Sequence, residues 1–483
     1  MKYKLSYLLA TLAAAALCVC FLLAGKNDAV WEQQHLTALP KEECLHGEEV
    51  YCTHLPVLSI NTEGQEIPGS ELDDARLITV RLQVFDQAEK NNHLTDAPSM
   101  ELQANIRYRG NSSRSFSKHS YLVKTVGEDG LDQDYPLLGM PEGEDWALYG
   151  PFLDKTLIRN YLCMNVAGQV MGYAPRVRFC ELWLDGEYQG LYVLMERVSQ
   201  GEEQINITPY EDGDPFTSYI IRLDRGDEEQ NNLTSFSEYA MKLRPDTLLN
   251  QYAINVEYPP KAKLTSELKQ YIEEDLSQIE KAVYSYDYDD DQYGYSNLLD
   301  VSSFVDYFII NEFFQNYDAG VYSTYLYKDL RGRLAIGPVW DFNNACDNYM
   351  ETAYDGTDFG MFENYMYFML IKDEDFTEQV IARYRELRQG VLSEESLLQS
   401  VDDIISFLGD AVERNYQVWG YSFDASQLSS RERLDPADRN PSSYEEAVEH
   451  LKSFLKARGQ WLDRNIENLR QYSHESKVKS YNP

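Results

Sequence analysis

Basic residues are scarce in this chain: 43 Lys and Arg stand against 80 Asp and Glu, a net charge of −37 over 483 residues. A surface this acidic repels phosphate backbones, which excludes nucleic acid as an expected partner. It suits a soluble protein facing the outside, or one that binds cationic partners, and solubility alone is enough to explain it. Cysteine and histidine are also few, at seven each. No CxxC, no Cys/His spacing and no HExxH is present, so a classical zinc hydrolase is unsupported. There is no internal repeat.

What is present begins with a basic tetrapeptide, Met1 to Lys4, followed by 21 residues without charge from Leu5 to Gly25. That length is about enough to span a bilayer as a helix and is long for a signal-peptide core. The expectation is an uncleaved signal anchor first and a cleaved signal second. Lys2 and Lys4 place the bulk of the chain outside in either case, so the expected location is extracytoplasmic, membrane-anchored or secreted. Residues 26–54 read as a polar linker in which Cys44 and Cys52 are spaced for a small disulfide. Cys163, Cys180 and Cys346 lie among apolar neighbours and read as buried thiols.

From Leu55 the pattern turns globular, in keeping with the 43% hydrophobic content. Residues 56–60, 77–84, 102–108 and 119–126 are predicted strands. Asp154 to Met171 is a predicted helix, with Asp154 as its cap. Two strands, 177–184 and 188–195, meet at Asp185-Gly186, the strongest hairpin signal in the chain. A strand is predicted at 218–223, helices at 263–283 and 301–314, and strands at 321–327 and 334–339. Beyond about Gly356 the pattern is mainly helical. A β-rich first half, a mixed middle and a helical end predict an α+β protein of two lobes. The expected domains are 55–355 with a helical extension at 356–483 completing the domain.

Four segments carry chemistry. Arg109-Gly110-Asn111-Ser112, followed by Lys118 and Lys124, is a strand, a small polar turn and a lysine-bearing strand. That shape can cover a phosphate chain, because turn N–H groups bind anions and a lysine adds a point charge. A β-hairpin with a polar turn would look the same, and the spacing is neither GxGxxG nor a P-loop. Lys155 and Arg159 share one face near a helix start, against the helix dipole, which suits a nearby anion or carboxylate. Glu196 ends an apolar strand and is a candidate to orient Lys124, although an ordinary strand-end salt bridge would serve equally. Finally, an apolar helix runs into Asp318, and a later strand delivers Gly337-Pro-Val-Trp-Asp341-Phe342-Asn343. One acid after a helix and another after a strand is how protein kinases place a catalytic base and an Mg²⁺ ligand. Two aspartates capping turns is the competing explanation.

Together these segments resemble the CotH (spore-coat protein H) kinase-like family. Arg109 to Ser112, Leu148 to Asn160, Glu181 to Glu196, Asn311 to Lys328 and Gly337 to Asn343 match its motifs in collinear order. The resemblance implies an atypical protein-kinase-like fold that transfers the ATP γ-phosphate to Ser or Thr of exported or cell-surface proteins, using Mg²⁺ or Mn²⁺. By the same resemblance Asp318 is the catalytic base and Asp341 the metal ligand, with Ser323 and Asn343 as further candidate ligands. Arg109, Gly110, Asn111, Ser112, Lys124, Lys118 and Glu196 would serve ATP, and the expected partner is a protein substrate, Ser-rich chains among the candidates. Asn343 stands where the family often has a second Asp. Ser323 stands where protein kinases carry a metal-binding Asn.

Two other functions compete with this one. A non-catalytic surface or scaffold protein would keep the fold and bind an extracellular protein or glycan; its acidic, Tyr-rich composition (37 Tyr) suits such contacts. A glycosidase with paired carboxylates is the third, though no motif sets two acids across a sugar cleft.

Overall fold

Seven strands close into a barrel in the N-terminal part: β1 (Val57–Asn61), β2 (Ile78–Phe85), β3 (Met100–Arg109), β4 (Ser120–Val126), β5 (Asp145–Tyr149), β6 (Val177–Leu184) and β7 (Glu187–Glu196). The order around it is β1-β2-β3-β4-β5-β7-β6, and the parallel pair of β1 with β6 completes the closure. The computed structural model describes residues 31–42, 51–69, 76–110, 112–225, 232–233, 253–353 and 355–473.

Alternation along the strands builds the barrel core. In β2, Ile78, Val80, Leu82 and Val84 are buried while Thr79 and Arg81 are exposed. These side chains join Ala104 and Ile106 of β3, Tyr121 and Val123 of β4, Trp146 and Leu148 of β5, and Leu182 and Leu194 of the β6–β7 pair. Each fully buried Val, Leu or Ile among them contributes about 1.5–3 kcal/mol. The predicted hairpin is present with a two-residue loop: Asp185 (φ 50°) and Gly186 (φ 83°) both take left-handed backbone, as a type I′ turn requires.

A short helix, α1 (Arg159–Gly168), follows the barrel's fifth strand, and a second sheet comes later. That sheet has the order β9-β10-β8-β11-β12, from β8 (Tyr219–Asp224), β9 (Asn232–Leu233), β10 (Ala253–Tyr258), β11 (Thr324–Lys328) and β12 (Ala335–Ile336), all antiparallel. Between β10 and β11 lie α2 (Ser266–Val283), capped by the Thr265 hydroxyl on the Leu268 N–H, and α3 (Val301–Phe314). α3 is apolar on nearly every side and runs through the core. The predicted strand at 334–339 shortens to two residues, ended by Gly337 (φ 125°) and Pro338.

The C-terminal part is helical: α4 (Glu374–Leu387), α5 (Glu394–Leu408), α6 (Ala411–Trp419) and α7 (Tyr444–Asn465). These helices grip both of the earlier layers. α6 lies on the β6–β7 hairpin, where Trp419 Nε1 donates to the Gln189 carbonyl at 2.7 Å. Gly190 permits that approach, because a Cβ there would meet Asn415 Oδ1 at 2.5 Å. α7 meets α3 through the buried pair Arg458–Glu312 at 2.5 Å. Glu312 also accepts the Met361 N–H at 2.7 Å. The architecture is thus α+β, with a β-rich N-terminal part and a helical C-terminal part.

Among the described residues no helix is long and apolar enough to cross a membrane. The Leu5–Gly25 segment and Cys44, half of the expected disulfide, lie outside the described residues. Cys163, Cys180 and Cys346 are buried thiols.

Candidate active site

Asp318 is presented by the end of α3. Gln315 stops the helix in left-handed backbone (φ 45°), and its N–H returns to the Glu312 carbonyl. Asn316 then bonds Asn311 Oδ1 at 3.1 Å, and the Asp318 carbonyl accepts the N–H groups of Val321 and Tyr322. The turn that follows reaches Ser323 (φ 50°) immediately before β11. The β8–β11 register pairs Leu223 with Thr324, so Asp224 continues β8 beside Ser323. Asp224 thereby joins the site, a residue with no motif of its own in the sequence.

Asp341 arrives from the other direction, after β12 and the Gly337-Pro338 bend. Its backbone is left-handed (φ 60°), a conformation Asp tolerates better than most residues. The segment after it is pinned from below. Asn160 of α1 accepts the Phe342 N–H at 2.7 Å. Arg159 donates to the carbonyls of Ala345 (3.2 Å) and Cys346 (3.3 Å), and its guanidinium is held by Asp154 at 2.5 Å. Lys155 and Arg159 do not share a helix face, because α1 begins at Arg159 and Lys155 precedes it; the carboxylate beside this pair is Asp154, which bonds Arg159. Asp154 does not cap a helix starting beside it, however: α1 begins at Arg159, whose N–H Asp154 accepts at 2.9 Å.

The two acids are close enough to sense each other. Burial pushes the Asp341 pKa up to about 6, the charges of Asp318 and Asp224 add to the rise, and Arg109 opposes it. Burial raises Asp318 as well, against the Asn344 amide, which donates to its Oδ2 at 3.0 Å. Arg109, at the end of β3, lies over the Trp340 ring at 5.7 Å and is itself pushed down to about 10 by burial. Gly110 follows with φ 105°, and a Cβ there would strike Ser113 Oγ at 1.9 Å. Ser112 opens the 3₁₀ turn Ser112–Ser115; Asn111 lies outside the described residues. Asn343 donates through its side chain to Asn344 Oδ1 at 3.1 Å, and its backbone N–H supports Asp341.

With this geometry in view, the family model of CotH kinase proteins matches residues 106–462. The chain belongs to the CotH kinase protein family. The match runs from the end of β3 through β12 and takes in both acids and most of the C-terminal helices. No curated protein matches the chain significantly.

The lysines expected to serve this family site fall elsewhere than the sequence suggested. Lys124 pairs with Asp145 at 3.1 Å and Asp132 at 3.4 Å, not with Glu196. Burial works against its charge and the two acids outweigh it, so its pKa is raised. The β4–β5 register sets the partner: Lys124 is opposite Asp145, whereas Glu196 is opposite the next residue, Trp146, whose side chain points to the other face. Glu196 is taken by Arg176, whose N–H (2.7 Å) and guanidinium (3.1 Å) both donate to it. Asp145 is shared with Arg197 at 3.0 Å, and Arg197 acts on Arg109, so a chain of charges leads from Lys124 towards Asp341. Lys118 is buried away from that chain. Its ammonium donates to the Leu191 carbonyl (2.6 Å) and Asn415 Oδ1 (2.7 Å), which makes it a clamp between the barrel hairpin and α6.

Asp145, Asp224 and Asn344 were missed from sequence. Asn344 carried a usable signal, since it continues the polar run after Phe342. The other two are brought in by sheet register alone.

A divalent cation suits what these residues offer. Burial and the charges of Asp318 and Asp224 make Asp341 costly to ionise, and burial and Asp224 do the same for Asp318. Among the described residues no three acidic, His or Cys side chains are close enough to hold a metal by themselves. Asp341 and Asp318 could offer a hard divalent cation one or two carboxylates, with water and substrate phosphates supplying the other ligands.

Proposed function

We propose that the protein is a protein kinase that moves the γ-phosphoryl of ATP to a Ser or Thr hydroxyl of another protein, the expected setting being exported or cell-surface chains. The observation that carries this is the electrostatic coupling of Asp318 and Asp341 at the meeting of α3, β11 and the 341–348 segment.

Each residue has a part. Asp341 would hold the divalent cation, with Asn343 and Ser323 as candidate neighbours. Bound there, the metal supplies positive charge for the transferring phosphoryl group. Arg109, set beside Asp341 and fixed over Trp340, adds a fork of N–H donors to phosphate oxygens. Asp318, whose carboxylate form the Asn344 amide favours, accepts the proton of the acceptor hydroxyl. Its raised pKa brings it nearer to neutrality, where a general base works best. Lys124 is poised at the far end of the charge chain and would need to leave Asp145 to touch a phosphate.

The test measures phosphate transfer from Mg-ATP to a Ser-rich protein, alongside the thermal shift that Mg-ATP induces. Asp318→Asn should lose roughly 10²–10⁴-fold in transfer while keeping the shift. Asp341→Ala should lose both. Transfer left unchanged by Asp341→Ala would sink the proposal, and a wild-type chain with no Mg-ATP shift would favour a scaffold role.

A further inference from the structure

Cys346, Asp347 and Asn348 of the 341–348 segment help to line a cavity of about 430 Å³. That volume is within the range of small-molecule sites. Its lining divides into zones. Lys155, Arg159, Cys346 and Asn348 form a buried polar part, exposed by 6%, 5%, 1% and 3%. Leu434, Ala447 and Phe454 make apolar walls. Asp355, Asp438 and His450 are exposed at the rim.

The charges in the buried part do not cancel. Arg159 is neutralised by Asp154 at 2.5 Å, and Arg439 by Asp347 at 2.8 Å. Lys155 has no carboxylate within 4 Å among the described residues. Its ammonium donates to the Phe152 carbonyl at 2.5 Å and rests on the Phe152 ring at 4.4 Å. An ammonium has three donors, so this leaves capacity in the buried part, where no lining residue is a carboxylate; the cavity's own acids are Asp347, which pairs with Arg439, and the exposed Asp355 and Asp438. The cost is visible: burial pushes the Lys155 pKa down to about 7, against the more distant charges of Asp154 and Glu432.

We propose that this cavity is a second ligand site, taking a small organic oxyanion whose head meets Lys155 and whose body packs on the Leu434–Phe454 wall. Its position gives it a route to the acid pair. Asn348, part of the lining, donates to the Asn343 carbonyl at 2.7 Å. Arg159 holds the carbonyls of Ala345 and Cys346. Between those anchors stands Asn344, whose amide holds Asp318. A ligand that draws on Lys155 and Asn348 therefore bears on the stretch that positions both acids, and by linkage the acids' own ligand bears on it.

The experiment uses the full chain and two probes, phenyl phosphate and benzoate, in separate arms that tell a phosphate head from a carboxylate head. The thermal midpoint is read against probe concentration. At least one probe should raise it, and Mn²⁺ affinity, measured by titration calorimetry, should change by roughly threefold or more when that probe saturates. Lys155→Met and Ser453→Trp should each abolish the rise. Ser453 is an exposed cavity-lining residue on α7, so its indole blocks the cavity without touching the core, and that variant decides the matter if Lys155→Met does not fold. Asp341→Asn should keep the rise. The site is overturned if neither probe moves the midpoint at millimolar concentration, if the rise survives Ser453→Trp, or if Asp341→Asn removes it, which would place the probe in the acid cleft. An unchanged Mn²⁺ affinity overturns the coupling. A chain with no kinase activity would still show the midpoint rise, so failure of the kinase proposal and failure of this one are separable.

Discussion

Two buried charge clusters flank the segment 341–348, and they are built on opposite rules. On one side Asp154 and Arg159 form a closed unit. Asp154 accepts from the Thr156 N–H and hydroxyl, the Arg159 N–H and the guanidinium, while Arg159 spends its remaining donors on the carbonyls of Ala345 and Cys346. Every charge there has an answer. On the other side Asp341 is buried beside Asp318 and Asp224, and the charges of those two raise the cost of ionising it. The Asp154–Arg159 cluster is scaffolding, and the acid cluster, where burial and neighbouring charges outweigh Arg109 at Asp341, holds electrostatic strain that a cation would relieve.

Breaking the scaffold side should have the largest effect. Arg159→Leu leaves Asp154 buried and uncompensated and frees two carbonyls of the acid-bearing segment. Loss of one partner of a buried pair costs about 3–5 kcal/mol. Urea unfolding of the variant should show that loss, and a change below about 1 kcal/mol would mean the pair is not structural.

Neutralising the strained side should do the reverse. Asp341→Asn keeps a residue that accepts φ 60° and removes the charge. The sign follows from the raised folded pKa. The carboxyl is harder to ionise in the folded chain, so the metal-free protein loses stability as pH rises from about 4 to about 6 and carries the full penalty above 6. A rise of this size corresponds to about 3 kcal/mol, and the remaining exposure of Asp341 reduces it to about 2 kcal/mol. The variant should therefore be more stable than wild type by about 2 kcal/mol at pH 7 without metal, and equal to it near pH 3.5. Added Mn²⁺ should narrow the gap. A variant that is less stable at pH 7 would contradict the comparison.

How much of this was legible beforehand differs between the clusters too. The barrel strands β1 to β3 showed their alternation plainly, 119–126 read as a further strand, and Asp185-Gly186 announced its own turn. β5 escaped because Trp146, Ala147 and Leu148 are all buried, so no alternation marks the strand. β10 escaped notice as well. Asp318 and Asp341 were readable because each follows an apolar element in a recognisable motif. The Lys124–Glu196 pairing was misjudged because the partner of a strand lysine is set by register, and β5, the strand that supplies Asp145, had not been read as one. Asp224 could be placed only by the β8–β11 pairing.

The smallest effect is the one that probes the boundary between the clusters. Asn344 belongs to the segment that Arg159 anchors, yet its amide serves Asp318. That hydrogen bond favours the ionised carboxylate, so Asn344→Ala should raise the Asp318 pKa further. If Asp318 is the base, the acid limb of the transfer-rate profile moves to higher pH, and the rate well above that limb changes little. The free-energy cost should be about 1 kcal/mol, at the low end for a bond to a charged acceptor because Asp318 keeps some contact with water. A variant that lowers the rate equally at all pH values, with the limb unmoved, would show that Asn344 shapes the segment rather than the charge. The division between a scaffolding cluster and a working one would then have to be redrawn to place Asn344 with Arg159.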